Sequence, residues 1–282
     1  MSKRYGLPYK GSKNFIAEKI INFLPEAECF VDLFAGGCAM THCAMESGKY
    51  KRFIINDVES DITQLFVDAV NGKYKNESRW ISRDCFNMFK NIDPYICYVW
   101  SFGNNGRDYI YSKEIEPYKE AMHELFFETN VFERKRKYRR VIKELAEYLK
   151  KTGKALVPKN ASFNSLQSLQ SLQSLESLES LQSLQSLESL QSLERYSDDY
   201  QSIEIPEDSV IYCDIPYKGT DKYSTAFGHE RFYKWAKEQK NIYISEYDMP
   251  EDFECVLEMP KRVTLSAKGN NLAIEKLWVP KR

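Results

Sequence analysis

Two short apolar runs, CFVDLF at residues 29–34 and RFIIND at 52–57, are separated by a glycine turn and a helical pattern, CAMTHCAMESG. Runs this short and this apolar suit strands buried on both faces, and strand, turn, helix, strand is the rhythm of a parallel sheet with crossover helices. After the second run, VESDITQLFVDAVNG carries Ile62, Leu65, Phe66 and Ala69 at helical spacing. The rhythm returns at SVIYCDIPY (209–217), followed by a helical HERFYKWAKEQ and strand-like NIYIS, FECVLEM and LAIEKLWV. An α/β domain formed by residues 1–74 and 195–282 and split by an insertion is therefore expected. Ahead of the first strand, FIAEKIINFL places Phe15, Ile16, Ile20, Phe23 and Leu24 on a helical stripe stopped by Pro25.

The insertion, residues 75–164, reads as mainly helical and is rich in aromatic and basic side chains. A net charge of −1 hides its unevenness: residues 134–159 hold eleven Lys or Arg against two acids. Another basic set lies at Lys3, Arg4, Lys10, Lys13 and Lys19. So few acids beside so many bases favour phosphate contact over a merely solvated helix face, with Arg134, Arg136, Arg139 and Arg140 as candidates. In the turn GNNGRD, Asn104, Asn105 and Arg107 carry the groups that read adenine and guanine edges in a major groove, a polar hairpin turn being the alternative.

Residues 165–194 are ten uninterrupted Ser-Leu-Gln or Ser-Leu-Glu triplets. Period three fits no strand, and in an α-helix it steps the leucine stripe back by about 60° per triplet. A 3₁₀-helix would align the leucines but is rarely so long. A helical or solenoid array and an unstructured spacer both stay open. Near-identical triplets are not expected to encode individual contacts, so shortening the array should alter spacing or a partner surface before it alters the catalytic fold.

No apolar run approaches the ~20 residues that cross a bilayer, and the opening MSKRYGLPYKGSK lacks the apolar stretch of a signal peptide, which points to the cytoplasm. The seven cysteines are odd in number and show no Cys-x-x-Cys pair, and His42, His123 and His229 are not at metal-ligand spacing. Neither disulfides nor a bound metal is expected, and the cysteines read as core.

The segment DLFAGG, Asp32 to Gly37, stands between strand and helix, where small residues let a ligand approach the backbone and a helix N-terminus offers free amides. Asp57 ends the second strand, where an acid can accept hydrogen bonds from ribose hydroxyls, so an adenosine-bearing ligand fits the pair. Asp214-Ile215-Pro216-Tyr217 follows the apolar VIYC and emerges at the carboxyl edge of the sheet. There Asp214 and the Ile215 carbonyl can both accept from one amino group, Pro216 fixes the turn, and Tyr217 can stack on a planar ring.

With PYKGSK at 8–13, FVDLFAGGC at 30–38, Asn56-Asp57 and Asp214 to Tyr217 in this order, the chain resembles the N6-adenine-specific DNA methyltransferases of the DNA adenine methylase type. The resemblance implies a Rossmann-like S-adenosylmethionine-dependent methyltransferase sheet, here with the inserted DNA-recognition region and the triplet repeat. It implies S-adenosyl-L-methionine as cofactor and double-stranded DNA as partner. The target adenine would be flipped out of the duplex and methylated directly on N6. By the same resemblance Tyr9, Lys10 and Lys13 lie near the cofactor and target base, and Phe34, Ala35, Gly36 and Gly37 hold the methionine end. Asp57 takes the ribose, and Asp199 and Tyr200 face the cofactor adenine. Two positions depart from the family pattern: Ile215 replaces the first proline of Asp-Pro-Pro-Tyr, and Cys38 stands where a third glycine is common. Amino methylation of cytosine or of a protein glutamine, and a DNA-binding module with a degenerate site, are the competing readings; the basic insertion speaks against glutamine.

Overall fold

The computed structural model describes residues 4–8, 12–152, 173–187, 192–217, 227–262 and 272–282. They divide into two compact units, Met1–Lys73 with Ser183–Arg282, and Tyr74–Gln182.

The first unit is built on seven strands: β1 (Cys29–Asp32), β2 (Arg52–Asn56), β3 (Ser192–Tyr196), β4 (Ser209–Cys213), β5 (Ile242–Glu246), β6 (Phe253–Arg262) and β7 (Leu272–Pro280). Their spatial order is β3-β2-β1-β4-β5-β7-β6. Neighbours are parallel from β3 to β5, and β7 runs antiparallel to both β5 and β6. This is a mixed, mostly parallel α/β sheet of the Rossmann-like kind. β1 and β4 lie in mid-sheet and are buried at every position, which is why their sequences are continuous apolar runs rather than alternating ones.

Among the described residues before Tyr74, this unit has the helices α1 (Ala17–Phe23), α2 (Ala39–Ser47) and α3 (Ser60–Val70). On α3 the expected face, Ile62, Leu65, Phe66 and Ala69, is buried. On α1 the buried face is Ile16, Ala17, Ile20, Ile21 and Leu24, whereas Phe15 is 78% exposed and Phe23 43% exposed. The expected stripe is corrected: the helix begins only at Ala17, so Phe15 precedes its first turn, and Phe23 in the last turn lies at the edge of the face that buries Ala17, Ile20 and Ile21.

The second unit contains α4 (Arg83–Phe89), α5 (Pro94–Val99), α6 (Glu116–Phe127) and α7 (Val131–Thr152), and ends within α8 (Gln173–Ser183). Its centre is aromatic: Trp80 stacks on Tyr111 with centroids 5.7 Å apart and meets Trp100 edge-on at 4.9 Å. The last helix among the described residues, α9 (His229–Glu238), belongs to the first unit.

The described triplets are neither a spacer nor uniform. α8 runs into a 3₁₀ turn at Leu184–Leu187, the one geometry that aligns side chains three apart. Leu178 and Leu181 are buried in the second unit, and Leu184 and Leu187 in the first. The serines differ as well: Ser174 Oγ lies 2.9 Å from the Tyr111 hydroxyl, and Ser177 Oγ accepts from the Asn104 amide at 3.1 Å. The final triplet, Ser192 to Glu194, opens β3 in parallel register with Arg52 to Ile54. Period three is no obstacle there, since β3 is an edge strand held by its backbone ladder and by the Arg52–Glu194 ion pair at 2.7 Å. The expectation that triplets carry no individual contacts is thereby corrected, and with it the expected tolerance to shortening. Residues 165–172 and 188–191 of the array lie outside the described residues.

Leu181→Ala and Leu184→Ala should each lower stability by roughly 2–5 kcal/mol, the range for truncating a buried leucine. Urea unfolding checks this, and a change below about 1 kcal/mol would show that the array is not core.

Candidate active site

The carboxyl ends of β2, β1, β4 and β5 are adjacent, and the chemistry-bearing residues gather along that edge. After β1 the chain turns sharply: Gly36 has φ +45° and Cys38 φ +56°, both in the left-handed region that favours glycine. Cys38 is therefore a non-glycine residue in the conformation that makes glycine common there. Burial pushes its thiol pKa well above the ordinary value, so it stays protonated and inert. Asp57 fastens the turn, its Oδ2 accepting from Gly36 N and its Oδ1 from Glu59 N, both at 2.8 Å. Burial raises the Asp57 pKa, and the two backbone donors oppose that shift. Ala35 N donates to Asn56 O at 3.0 Å, which ties the turn to the end of β2.

A segment that the sequence did not mark closes the turn from its other side. Gly6 has φ +66°, its N–H donates to His42 Nδ1 at 2.9 Å, and Leu7 N donates to Gly37 O at 2.7 Å. A Cβ at Gly6 would lie 2.4 Å from Gly37 O and 2.5 Å from Ala39 N, so only glycine fits. Asp32 is not open to a ligand. It is buried, its Oδ2 accepts from Thr41 Oγ1 at 2.8 Å, and it ties β1 to α2.

Beside the turn, Phe34 packs against Tyr200 and Phe227, each with centroids 5.6 Å away, and against Phe232 at 5.8 Å. The Tyr200 hydroxyl is buried with no hydrogen-bond partner among the described residues. Asp199 caps the short turn that follows it, accepting from Gln201 N at 3.0 Å and from Arg231 Nη2 at 2.7 Å.

At the end of β4, Asp214 meets Lys13. The Lys13 ammonium is 4% exposed and lies 2.8 Å from Asp214 Oδ1 and 2.8 Å from Glu275 Oε1. It also donates to the Tyr217 hydroxyl, which in turn donates to Glu275. Burial alone would lower the Lys13 pKa, but the Asp214 and Glu275 carboxylates outweigh it and leave it raised, so the lysine is a fixed cation. Burial first, then the same two carboxylates, raise the Tyr217 phenol far above its usual range. The Tyr217 ring lies 4.7 Å from that of Tyr247. Ile215 turns its side chain into the core behind the sheet, and the Pro216 carbonyl accepts from His229 Nε2 at 2.9 Å. On β5, buried Glu246 has its pKa pushed up to about 7, by burial first and then by Asp214 and Glu275.

The sequence model of the D12 class N6 adenine-specific DNA methyltransferases matches residues 9–248. The chain belongs to this family. No curated protein matches it. The glycine turn, Asp57 and Asp214 to Tyr217 of this D12 methyltransferase lie inside the matched span, as does Lys13. Glu275 lies beyond it. Tyr9 and Lys10 of the expected site are outside the described residues.

Glu275 escaped the sequence reading because β7 inverts the usual pattern: Ile274 is 48% exposed while Glu275 is fully buried. The one available signal was its two-residue spacing from buried Leu277. In the second unit of the methyltransferase, Asn105 and Arg107 are exposed, but Asn104 is buried with its amide donating to Tyr98 O and Ser177 Oγ, so it holds the turn instead of offering an edge. On α7, Arg139 and Arg140 are exposed and Arg136 is exposed beside Glu133 at 2.7 Å, whereas Arg134 bonds the Glu128 carbonyl. Glu128 also takes Lys137 at 3.0 Å, so acids ahead of the basic run offset part of it. Cys255 is exposed on β6, a correction to the expectation that all cysteines are core; Cys29, Cys38, Cys43 and Cys213 are buried. Among the described residues no helix is long and apolar enough to cross a membrane, and no group of three His, Cys, Asp or Glu is placed to hold a metal.

The Asp32 pKa is pushed up to about 7, chiefly by burial and then by Asp214 and Asp57, against roughly 3.9 in an unfolded chain. The folded state thus retains a proton that the unfolded state releases, and the resulting stability is present below about pH 4 and lost as pH rises towards 7. Asp32→Asn should gain about 2 kcal/mol on the wild type between pH 5.5 and 8 in urea unfolding. Parallel pH profiles for the two proteins would contradict the assignment.

Proposed function

We propose that the chain transfers a methyl group from S-adenosylmethionine to N6 of adenine in double-stranded DNA, with the target base turned out of the duplex into the Asp214–Tyr217 site. The observation that carries this reading is the arrangement at the sheet edge: a carboxylate acceptor and an aromatic ring at the end of β4, next to a glycine turn fastened by Asp57 at the ends of β1 and β2.

The residues at the turn suit the cofactor. Each Asp57 oxygen accepts one backbone N–H and keeps capacity for a ribose hydroxyl. Phe34 and Tyr200 offer aromatic faces, and a polar ligand beside them would supply the partner that the buried Tyr200 hydroxyl lacks among the described residues. When bound, S-adenosylmethionine supplies a methyl already activated on a sulfonium. The protein's task is then to hold and orient the amine.

Adenine N6 is a weak nucleophile because its lone pair is delocalised into the ring. Asp214 accepts one of its hydrogens and the Ile215 carbonyl the other, which favours the tetrahedral nitrogen that attack requires. Asp214 is also the group placed to take the proton that N6 loses once the new N–C bond forms. Tyr217 stacks on the extruded base, whose removal from the duplex costs a few kcal/mol. Arg136, Arg139 and Arg140 of α7 contact phosphates, and Asn105 with Arg107 contact base edges.

Asp214→Ala should abolish methyl transfer yet leave S-adenosylmethionine affinity nearly intact, and Asp57→Ala should weaken that affinity by about 1–3 kcal/mol. Calorimetric titration of both variants, alongside a methyl-transfer assay, is the test. Equal weakening of cofactor binding by both would overturn the division of roles.

A further inference from the structure

A carboxylate buried within a sheet is costly unless it is paired and hydrogen-bonded. Glu275 on β7 is fully buried, with Lys13 Nζ 2.8 Å from Oε1 and the Tyr217 hydroxyl donating to the same oxygen. It lies outside the span that the family model matches. The same ammonium is 2.8 Å from Oδ1 of Asp214, the carboxylate that the proposed reaction needs for the substrate amine. An incoming amine must displace Lys13 from this carboxylate or share it with the ammonium. At 4% exposure the displaced ammonium has almost no access to water, so another carboxylate has to keep it paired.

We infer that Glu275 is a positioning residue for methyl transfer, holding the Lys13 ammonium and the Tyr217 hydroxyl so that Asp214 can exchange the lysine for the substrate amine. The inference rests on the amine-methylation reading above. Without the Glu275 charge, Asp214 becomes the only carboxylate ion-paired with Lys13 among the described residues, and the amine then competes with a cation fixed on its acceptor. Contacts to the DNA backbone are untouched, so the loss falls on kcat and not on KM for DNA. A residue that only braced β7 would cost stability and leave turnover per folded molecule unchanged.

Glu275→Gln, Glu275→Asp, Lys13→Met and the Glu275→Gln/Lys13→Met double variant test this with labelled S-adenosylmethionine and duplex DNA, the folded fraction being fixed by thermal melting. Glu275→Gln should lower kcat tenfold or more with KM for DNA within threefold of the wild type. The double variant should be no slower than Glu275→Gln, because the cation that captures Asp214 is gone. Glu275→Asp keeps the charge at shorter reach and should lose threefold to tenfold; if the Gln variant does not fold, Glu275→Asp decides alone. Unchanged kcat per folded molecule in Glu275→Gln, or in Glu275→Asp when it decides alone, overturns the inference, as does a double variant in which the two single losses multiply. An active wild type with such variants overturns this inference only, whereas a wild type that transfers no methyl to adenine overturns the proposed function and this inference with it.

Discussion

A lysine ammonium sealed from water cannot be left with fewer partners than its charge requires, and Lys13 meets that constraint by drawing three distant parts of the chain together. Its partners are Asp214 at the end of β4, Tyr217 three residues on, and Glu275 on β7 of the terminal hairpin. Lys13 also starts α1, since its carbonyl accepts from Ile16 N at 2.8 Å and Ala17 N at 2.9 Å. The first helix, the catalytic candidate turn and the antiparallel end of the sheet are thus registered on one cation. Moving any of them costs an ion pair in low dielectric, which makes the edge of the sheet a preorganised site and not a loose collection of loops.

The glycine turn obeys a second constraint, that of space. Gly6 lies so close to Gly37 and Ala39 that no side chain fits, and Asp57 holds the turn from the β2 side. With its backbone fixed from two directions, the turn keeps its shape before any ligand arrives. Phe34, Tyr200 and Phe227 add an aromatic wall that needs no charge. Fixed cation and carboxylates at β4, fixed backbone at β1, and an aromatic face beside it suit the proposed reaction, in which the protein's part is to position its ligands.

Most of the sheet was legible because its central strands are buried on both faces, so CFVD, RFIIN and SVIYC announce themselves as apolar runs ended by polar residues. Asp57 and Asp214 were legible for the same reason, as polar residues stranded at the ends of such runs. β3 was not, because an edge strand is specified by its backbone ladder with β2, and its residues SLERY continue a period-three array. Gly6 could not be read because its requirement comes from the close approach of a segment some thirty residues away in sequence. Glu275 was hidden by its own strand, where a charged residue faces inward and an isoleucine outward. Asn104 illustrates the opposite error: an asparagine in a polar turn looks like a reading head, but a left-handed backbone, φ +54°, turns it towards Tyr98 and Ser177.

The claim at the centre of this account is that Asp214, at the end of β4, receives the N6 amine of adenine. It is tested most directly by nucleoside mass spectrometry of duplex DNA incubated with the protein and S-adenosylmethionine carrying an isotopically labelled methyl, with Asp214→Asn in parallel. The account predicts label in N6-methyladenine alone from the wild type and none from Asp214→Asn. Label in a cytosine product, or N6-methyladenine formed equally well by Asp214→Asn, would contradict it.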